Sequence, residues 1–580
     1  MRASDIGRGR FSLCHSIVGL PGIRFIAFRK QTLHSPTSWL CGCAAFLCFC
    51  LPASADEATG EPALPSFAEL QAAGAVIGEI RIVNDNIFDL DDPKEDNFLF
   101  RLANTLHIRT RQSIIRRSLL FHSGEPLSVQ LIEESERLLR SNQYIYDVDI
   151  HPTAWRDGVV DIEVKTRDTW TLRLGFSFGR AGGVNTTSFS LQEYNLLGTG
   201  TRLGYGKSSD IDRKGTVYRV SHDHLFDGWT QIDLMLANNS DGNSHSIRVE
   251  RPFYALDTRW AAGASVLHDE RIDSIYQDAV VVGQYRHRQD AAEVYGGWSE
   301  GLIDNWTQRY STGLSYQADT YSIGPSLTVP SPSDVPPDQT LVAPFLRYEL
   351  LENDYEKIKN RDKIERPEFF EMGLHAKLQI NRALTSLGST DNLWTYSGMV
   401  SDGYHAPRGN DLLMSTQLSG QYGDGHGQRE RLGGSLRYYV PQGRLGLFYV
   451  AASGDIVRNP QTSDLLLLGG DNGLRGYPAR YQSGERRTLF TAEERVYTDW
   501  YPFRLFRVGG AVFYDVGRAW GGPFQNPVNP GWLSDVGFGL RFLSTRDAFS
   551  HVLHADIAFP LNADPSIRSW QFLVQTQANF

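Results

Sequence analysis

The chain has 580 residues, a formal charge of −10 and a mean hydropathy of −0.33. That hydropathy argues against a bundle of membrane-spanning helices, and beyond residue 55 there is no run of about 18 apolar residues that could span as one. A membrane β-barrel stays open, because its lipid-facing side chains alternate with polar ones and leave a weak average signal.

The first 55 residues read as an export signal. Basic residues lead (Arg2, Arg8, Arg10, Arg24, Arg29, Lys30), an apolar stretch from Trp39 to Leu51 follows, and Ala53-Ser54-Ala55 offers a small-x-small cleavage site. The basic region is long, which leaves room for a start codon downstream of Met1. A lipoprotein signal acylated within Leu40-Cys41-Gly42-Cys43 is the alternative; an ordinary cleaved signal peptide over 1–55 is the expectation. All five cysteines lie in this leader, so the rest of the chain has no disulfide, thiolate ligand or thiol nucleophile. Without the leader's six basic residues and one acidic residue the balance falls to −15, which disfavours nucleic acid as a partner.

Residues 56–75, rich in Ala, Glu and Pro, read as a flexible leader segment. A small α+β unit is expected over 76–168. Ile77 to Val83 alternates as a strand. Ile114, Ile115, Leu119 and Leu120 have helical spacing, ended by Gly124 and Pro126. Ser128 caps a second helix with Leu131, Ile132, Ser135, Leu138 and Leu139 on one face. Tyr144 to Ile150 and Val159 to Lys165 form a hairpin about Asp157-Gly158. This order, with Gly124-Glu125-Pro126-Leu127 and Arg140-Ser141-Asn142-Gln143-Tyr144 at its joints, resembles a POTRA domain. It departs from one in the longer acidic connection Asp89 to Asp96, whose oxygen-rich run reads as a solvated loop rather than a cation site.

From Trp170 the period becomes two: Trp170, Leu172, Leu174, Phe176 and Phe178 alternate with Thr171, Arg173, Gly175 and Ser177. Turn clusters then recur to the end, with strands near 443–457, 487–499, 506–519, 535–544, 550–560 and 569–580. Short connections (498–502, 544–547) alternate with long Gly- and Pro-rich ones (460–486, 521–533), as in a barrel with short turns at one rim and long loops at the other. At roughly 25 residues per strand and connection, residues 169–580 hold about 16 antiparallel strands. The long loops should face outward, with Ser483 and Asn526 accessible in them. The last strand ends on Phe580, with Val574 and Phe572 in the same register, a pattern resembling the C-terminal sorting signal of outer-membrane barrels.

Leu474-Arg475-Gly476-Tyr477, in the long loop with five strands to follow, resembles the VRGY/F motif of the BamA/TamA family. Glu493-Glu494-Arg495, Phe513-Tyr514-Asp515-Val516-Gly517 and Asn195-Leu196-Leu197-Gly198-Thr199-Gly200 resemble further family motifs in the expected order. The resemblance implies a 16-stranded transmembrane barrel in the bacterial outer membrane behind one periplasmic POTRA domain. Its sixth outer loop would fold into the lumen, and unfolded outer-membrane or secreted proteins would be its clients, accessory lipoproteins its further partners. A lumenal Arg475 would need Glu493 and Asp515 as carboxylate partners, since an unpaired buried charge is costly. Gly473 and Gly476 would permit the tight backbone there.

No cofactor, metal or catalytic set is expected. His222-Asp223-His224 lacks a third ligand, Gly198 to Gly204 is too long for a dinucleotide fingerprint, and Gly206-Lys207-Ser208 lacks the phosphate loop's first glycine. Two other functions stay open: a two-partner secretion translocator, disfavoured by space for only one POTRA domain, and a passive porin or surface antigen.

Overall fold

The computed structural model describes residues 64–226, 228–323, 329, 335–545 and 552–577. The expected signal peptide and Phe580 lie outside the described residues.

The small N-terminal unit runs α1 (Phe67–Ala72), β1 (Val76–Asp85), α2 (Phe98–Leu106), α3 (Gln112–Arg117), α4 (Val129–Ser141), β2 (Ile145–Arg156) and β3 (Val159–Asp168). Its sheet has the order β1-β3-β2, with β1 parallel and β2 antiparallel to the central strand. Ser128 caps α4 by accepting from the Leu131 amide, and Ile132, Ser135 and Leu139 turn inward. Asp157 and Gly158 both have positive φ, as a two-residue turn between right-twisted strands requires. Two features correct the sequence reading. Part of the supposed flexible segment is α1, whose Ser66 and Glu69 form a capping box and whose Leu70 is fully buried in the core with Ile77, Ile115 and Ile162. The acidic run Asp89 to Asp96 is a loop, as expected, but it leads directly into helix α2, which the sequence reading lacks.

Apart from two small hairpins, the remaining strands form one antiparallel sheet that returns on itself. Among the described residues it has twenty strands, from Leu172–Ala181 to Gln571–Gln577, and these two are neighbours that close it. The expected count of 16 is therefore too low. That spacing came from the C-terminal part, where loops are long; earlier strands are joined at both rims by tight turns such as Gly182-Gly183, Asp278-Ala279 and Asp304-Asn305.

Alternation within the barrel inverts that of a soluble protein. In Arg486–Tyr497 the side chains of Thr491, Glu493 and Arg495 are buried, whereas Phe490 and Val496 are exposed. In Phe506–Trp520 Phe513 and Asp515 point in, and Val512 and Tyr514 point out. Burying charge while exposing apolar surface is stable only where hydrocarbon covers the outside. Phe572 is likewise exposed and Leu573 buried, which puts Phe572 on the outer face of the last strand. No described helix is long and apolar enough to cross a membrane.

The small unit meets the inner rim of the barrel at Asn195 to Gly200. Asn195 donates to Thr110 Oγ1 (2.7 Å) and accepts from the Gly200 amide (2.7 Å), while the Arg111 amide donates to Gly198 O (3.0 Å). Thr110 donates its own hydroxyl to Asp168 (2.9 Å), which also accepts from the Thr110 amide and bonds His107. A Cβ at Gly198 would stand 2.4 Å from Arg109 O, so the turn needs glycine there.

Candidate functional site in the barrel lumen

The long outer loop between Gly446–Arg458 and Arg486–Tyr497 folds back through a small hairpin, Leu466–Leu468 with Gln482–Gly484. Leu474 and Tyr477 are fully buried, and Tyr477 donates to Asn562 (2.7 Å). Glycine makes the fold-back possible. Gly473 has φ 127°, and a Cβ there would come within 2.1 Å of Leu489; at Gly476 one would meet Asp535 Cβ at 2.7 Å. The loop also meets the first hairpin, where the Ala479 amide donates to Gly182 O (2.9 Å).

Arg475 ends this loop inside the barrel, 4% exposed. It grips Asp515 with two parallel bonds (Nε 2.7 Å, Nη2 2.9 Å), donates to Glu493 (2.8 Å), reaches Asp556 (3.3 Å) and lies over the Phe513 ring at 3.3 Å. Fork-on-fork bonding of this kind suits guanidinium and is closed to lysine. Thr491 donates to Asp515, and the Gly476 amide to Asp535. Arg541 bonds Asp556 and stands 3.7 Å from Glu493, and Arg495 donates to Glu493 (2.8 Å). Three guanidinium groups and four carboxylates thus share one buried cluster. The structure brings Leu474, Arg475, Gly476, Tyr477, Glu493 and Asp515 together, and keeps Phe572 and Val574 apart on the last strand.

Sequence reasoning misses Asp556, Arg541 and the bridging role of Arg495. The one available signal for Asp556 is its alternation with His554 in a strand otherwise apolar. Ser483 and Asn526 are buried rather than accessible: Ser483 donates to Phe524 O (2.5 Å) and Asn526 to Tyr481 O (2.8 Å). The histidines of His222-Asp223-His224 separate, one to Thr201 and one to Ser118.

A second insertion fills the inner end. The connection 353–374 folds into a hairpin, Tyr355–Ile358 with Glu368–Glu371, and Ile364 packs against buried Tyr439, Tyr449, Tyr497, Leu543 and Val552 from five barrel strands. Its turn is held by one carboxylate oxygen, Glu368 Oε1, which accepts from the amides of Arg361, Asp362 and Lys363 at 3.1–3.2 Å. Burial, and after it the Asp362 carboxylate, push Glu368 up to about 7. The two insertions meet through Arg495, which binds Glu493 on one side and donates to Arg361 O (3.1 Å) on the other. The hairpin also touches the small unit, where Lys357 pairs with Glu136 (2.7 Å) and Arg137 lies over the Tyr355 ring (3.9 Å).

Fold and site together define an outer-membrane β-barrel whose own outer loop is clamped in its lumen. Residues 195–576 match the Omp85 superfamily domain, and the chain belongs to that superfamily, whose members act on outer-membrane or secreted protein clients. Among solved structures it is similar to BamA from Haemophilus ducreyi lacking POTRA domains 1–3 (13% identity, TM-score 0.39, 86% of this chain and 84% of that one). It is also similar to CdiB from Acinetobacter baumannii (13%, 0.44, 86% and 73%). Likenesses of this size describe general outline alone. No curated protein sequence matches the chain.

Proposed function

We propose that the protein assists the insertion of other barrels into the outer membrane, in the manner of the BamA/TamA branch, with its small POTRA-like unit in the periplasm. The observation that carries this reading is the Arg475 clamp. A loop fixed by a buried cation to several strands near the closing pair ties the lumen to the part of the sheet where a new strand would be templated. A passive pore gains nothing from filling its lumen at both ends.

Clients in extended form would add to the small sheet by backbone pairing. On β1 the outward acceptors are already used, since Gln112 donates to Ile82 O (3.0 Å), Arg116 to Ile80 O (3.2 Å), and the Ile77 amide pairs with Glu125. That leaves β2 as the receiving edge. The seam between Leu172–Ala181 and Gln571–Gln577 would then part and present unpaired backbone groups to the incoming strand. No cofactor is required and no bond is hydrolysed.

The test uses proteoliposomes holding the full protein, challenged with an unfolded outer-membrane barrel whose folding is read by heat-modifiable gel mobility. Faster folding than in empty vesicles supports the proposal, as does capture of the client by a photo-crosslinker at Trp155 on β2. Unchanged folding together with high ion conductance would make the protein a pore. Export of one passenger with no effect on barrel folding would make it a secretion translocator.

A further inference from the structure

Helix α2 has two opposed faces. Its inner face is fixed to the small unit, where Phe100 stacks on Phe88 (centroids 3.8 Å apart, 7° between planes) and the Asn104 side chain bonds both the amide and the carbonyl of Phe88 (3.1 and 2.8 Å). The outer face, spanning roughly 100° of the helix at its 3.6-residue period, carries Phe98, Leu99, Leu102 and Leu106, with Ile108 following. Phe98 is 76%, Leu99 67% and Leu106 63% exposed. Within the small unit this is a contiguous apolar stripe on a rigid support, and a stripe of that kind marks a surface meant to be covered.

Its position says by what. Just ahead of the helix, Asp92 pairs with Arg504 (3.0 Å) and Glu95 stands 3.9 Å from the same guanidinium. Arg504 belongs to the inner-rim turn 498–505 of the barrel, whose Trp500 and Phe503 are exposed, Phe503 at 82%; Phe506 at the start of the next strand and Val512 further along it are exposed as well. The helix is therefore tethered where the lipid-covered band of the barrel ends, at the depth where amphipathic helices and exposed tryptophan settle.

We propose that α2 is an interfacial membrane anchor whose Phe98, Leu99, Leu102 and Leu106 insert among the acyl chains of the periplasmic leaflet beside the rim turn 498–505. The small unit would then be held to the bilayer as well as to the barrel.

The described chain contains no cysteine, which makes site-specific labelling direct. The full protein, with the five cysteines of residues 1–55 replaced by serine and carrying Leu102→Cys with an environment-sensitive fluorophore, is placed in vesicles of phosphatidylethanolamine and phosphatidylglycerol. Glu133→Cys, on exposed α4, serves as the aqueous reference, and heat-modifiable mobility verifies that each variant is folded. The expected result is a blue-shifted emission at position 102, quenched several-fold more by a nitroxide on the lipid acyl chain than by aqueous iodide, with the reverse at 133. Equal quenching at both positions by iodide would overturn the proposal. A blue shift at 102 that appears only on adding an unfolded client would also overturn it, and would make the stripe a protein-docking face.

Discussion

The two insertions that fill the lumen differ in the balance of charge and apolar packing that holds them. The outer loop is held by charge: one guanidinium reaches three carboxylates on three strands, and glycines let the backbone approach them. The inner hairpin combines apolar packing of Ile364 among tyrosines, an ion pair of Arg361 with Asp411 (2.8 Å), and one carboxylate that satisfies three of its own amides. A charge clamp is rigid while intact and fails sharply when one partner leaves. The hairpin's turn is capped from within by Glu368, but its withdrawal would part Arg361 from Asp411 and Asp362 from the Tyr439 hydroxyl.

The contrast can be broken by mutation. The largest effect should come from Arg475→Ala, which removes the bidentate partner of Asp515 and one of the guanidinium groups around Glu493; removing one partner of a buried pair costs on the order of 3–5 kcal/mol. Barrel melting temperature should drop, and a double-mutant cycle with Asp515→Ala should show strong non-additivity. Simple addition there, and with Glu493→Ala, would mean that the loop is not held by these charges.

Next comes Glu368→Ala, which leaves three part-buried amides without their acceptor, against about 1–3 kcal/mol for a fully buried one. Hydrogen exchange should rise within 353–374 while 466–484 stays protected. Equal loosening of both segments would erase the distinction between them.

A third effect is a pH dependence of the hairpin. Glu368 is pushed up to about 7, so the folded hairpin holds a proton that the released segment gives up above the ordinary glutamate range. Hairpin stability should therefore fall as pH rises from the ordinary range through about 7, read as increasing protease sensitivity. Glu368→Gln, which keeps a carbonyl acceptor, should flatten the profile; an unchanged profile would assign the effect to another group.

The smallest effect belongs to Lys357→Ala. Its pair with Glu136 is partly exposed and worth about 0–1 kcal/mol. A larger loss of hairpin protection would mean that the small unit, not the lumen, holds the hairpin in place.

What could be read from the sequence follows the same division. The strands from 446 onward are legible to within a few residues because turn residues and two-residue periodicity agree. Glu493 and Asp515 are legible as partners because both lie at inward registers on the strands just after the loop. Asp556 and Arg541 are not, since chain order does not say which inward charges converge at one depth. The inner hairpin escapes for another reason. Its strands are four residues each, and the use of Glu368 as a cap for three amides exists only once the turn has closed. The strand count fails because spacing taken from long-looped hairpins does not transfer to those joined by two-residue turns.

Arg495 gives the molecule a form of bookkeeping between its two ends. One guanidinium serves the outer clamp through Glu493 and the inner hairpin through Arg361 O, so neither insertion has a binding energy of its own that the other leaves untouched. Whatever factor the presence of the hairpin contributes to the affinity of the loop for its lumen seat, the loop must return to the hairpin, because coupling free energies are reciprocal. Any displacement of the hairpin would therefore change, by the same factor, the work needed to release the loop at the other end of the barrel, with no contact to that loop at all.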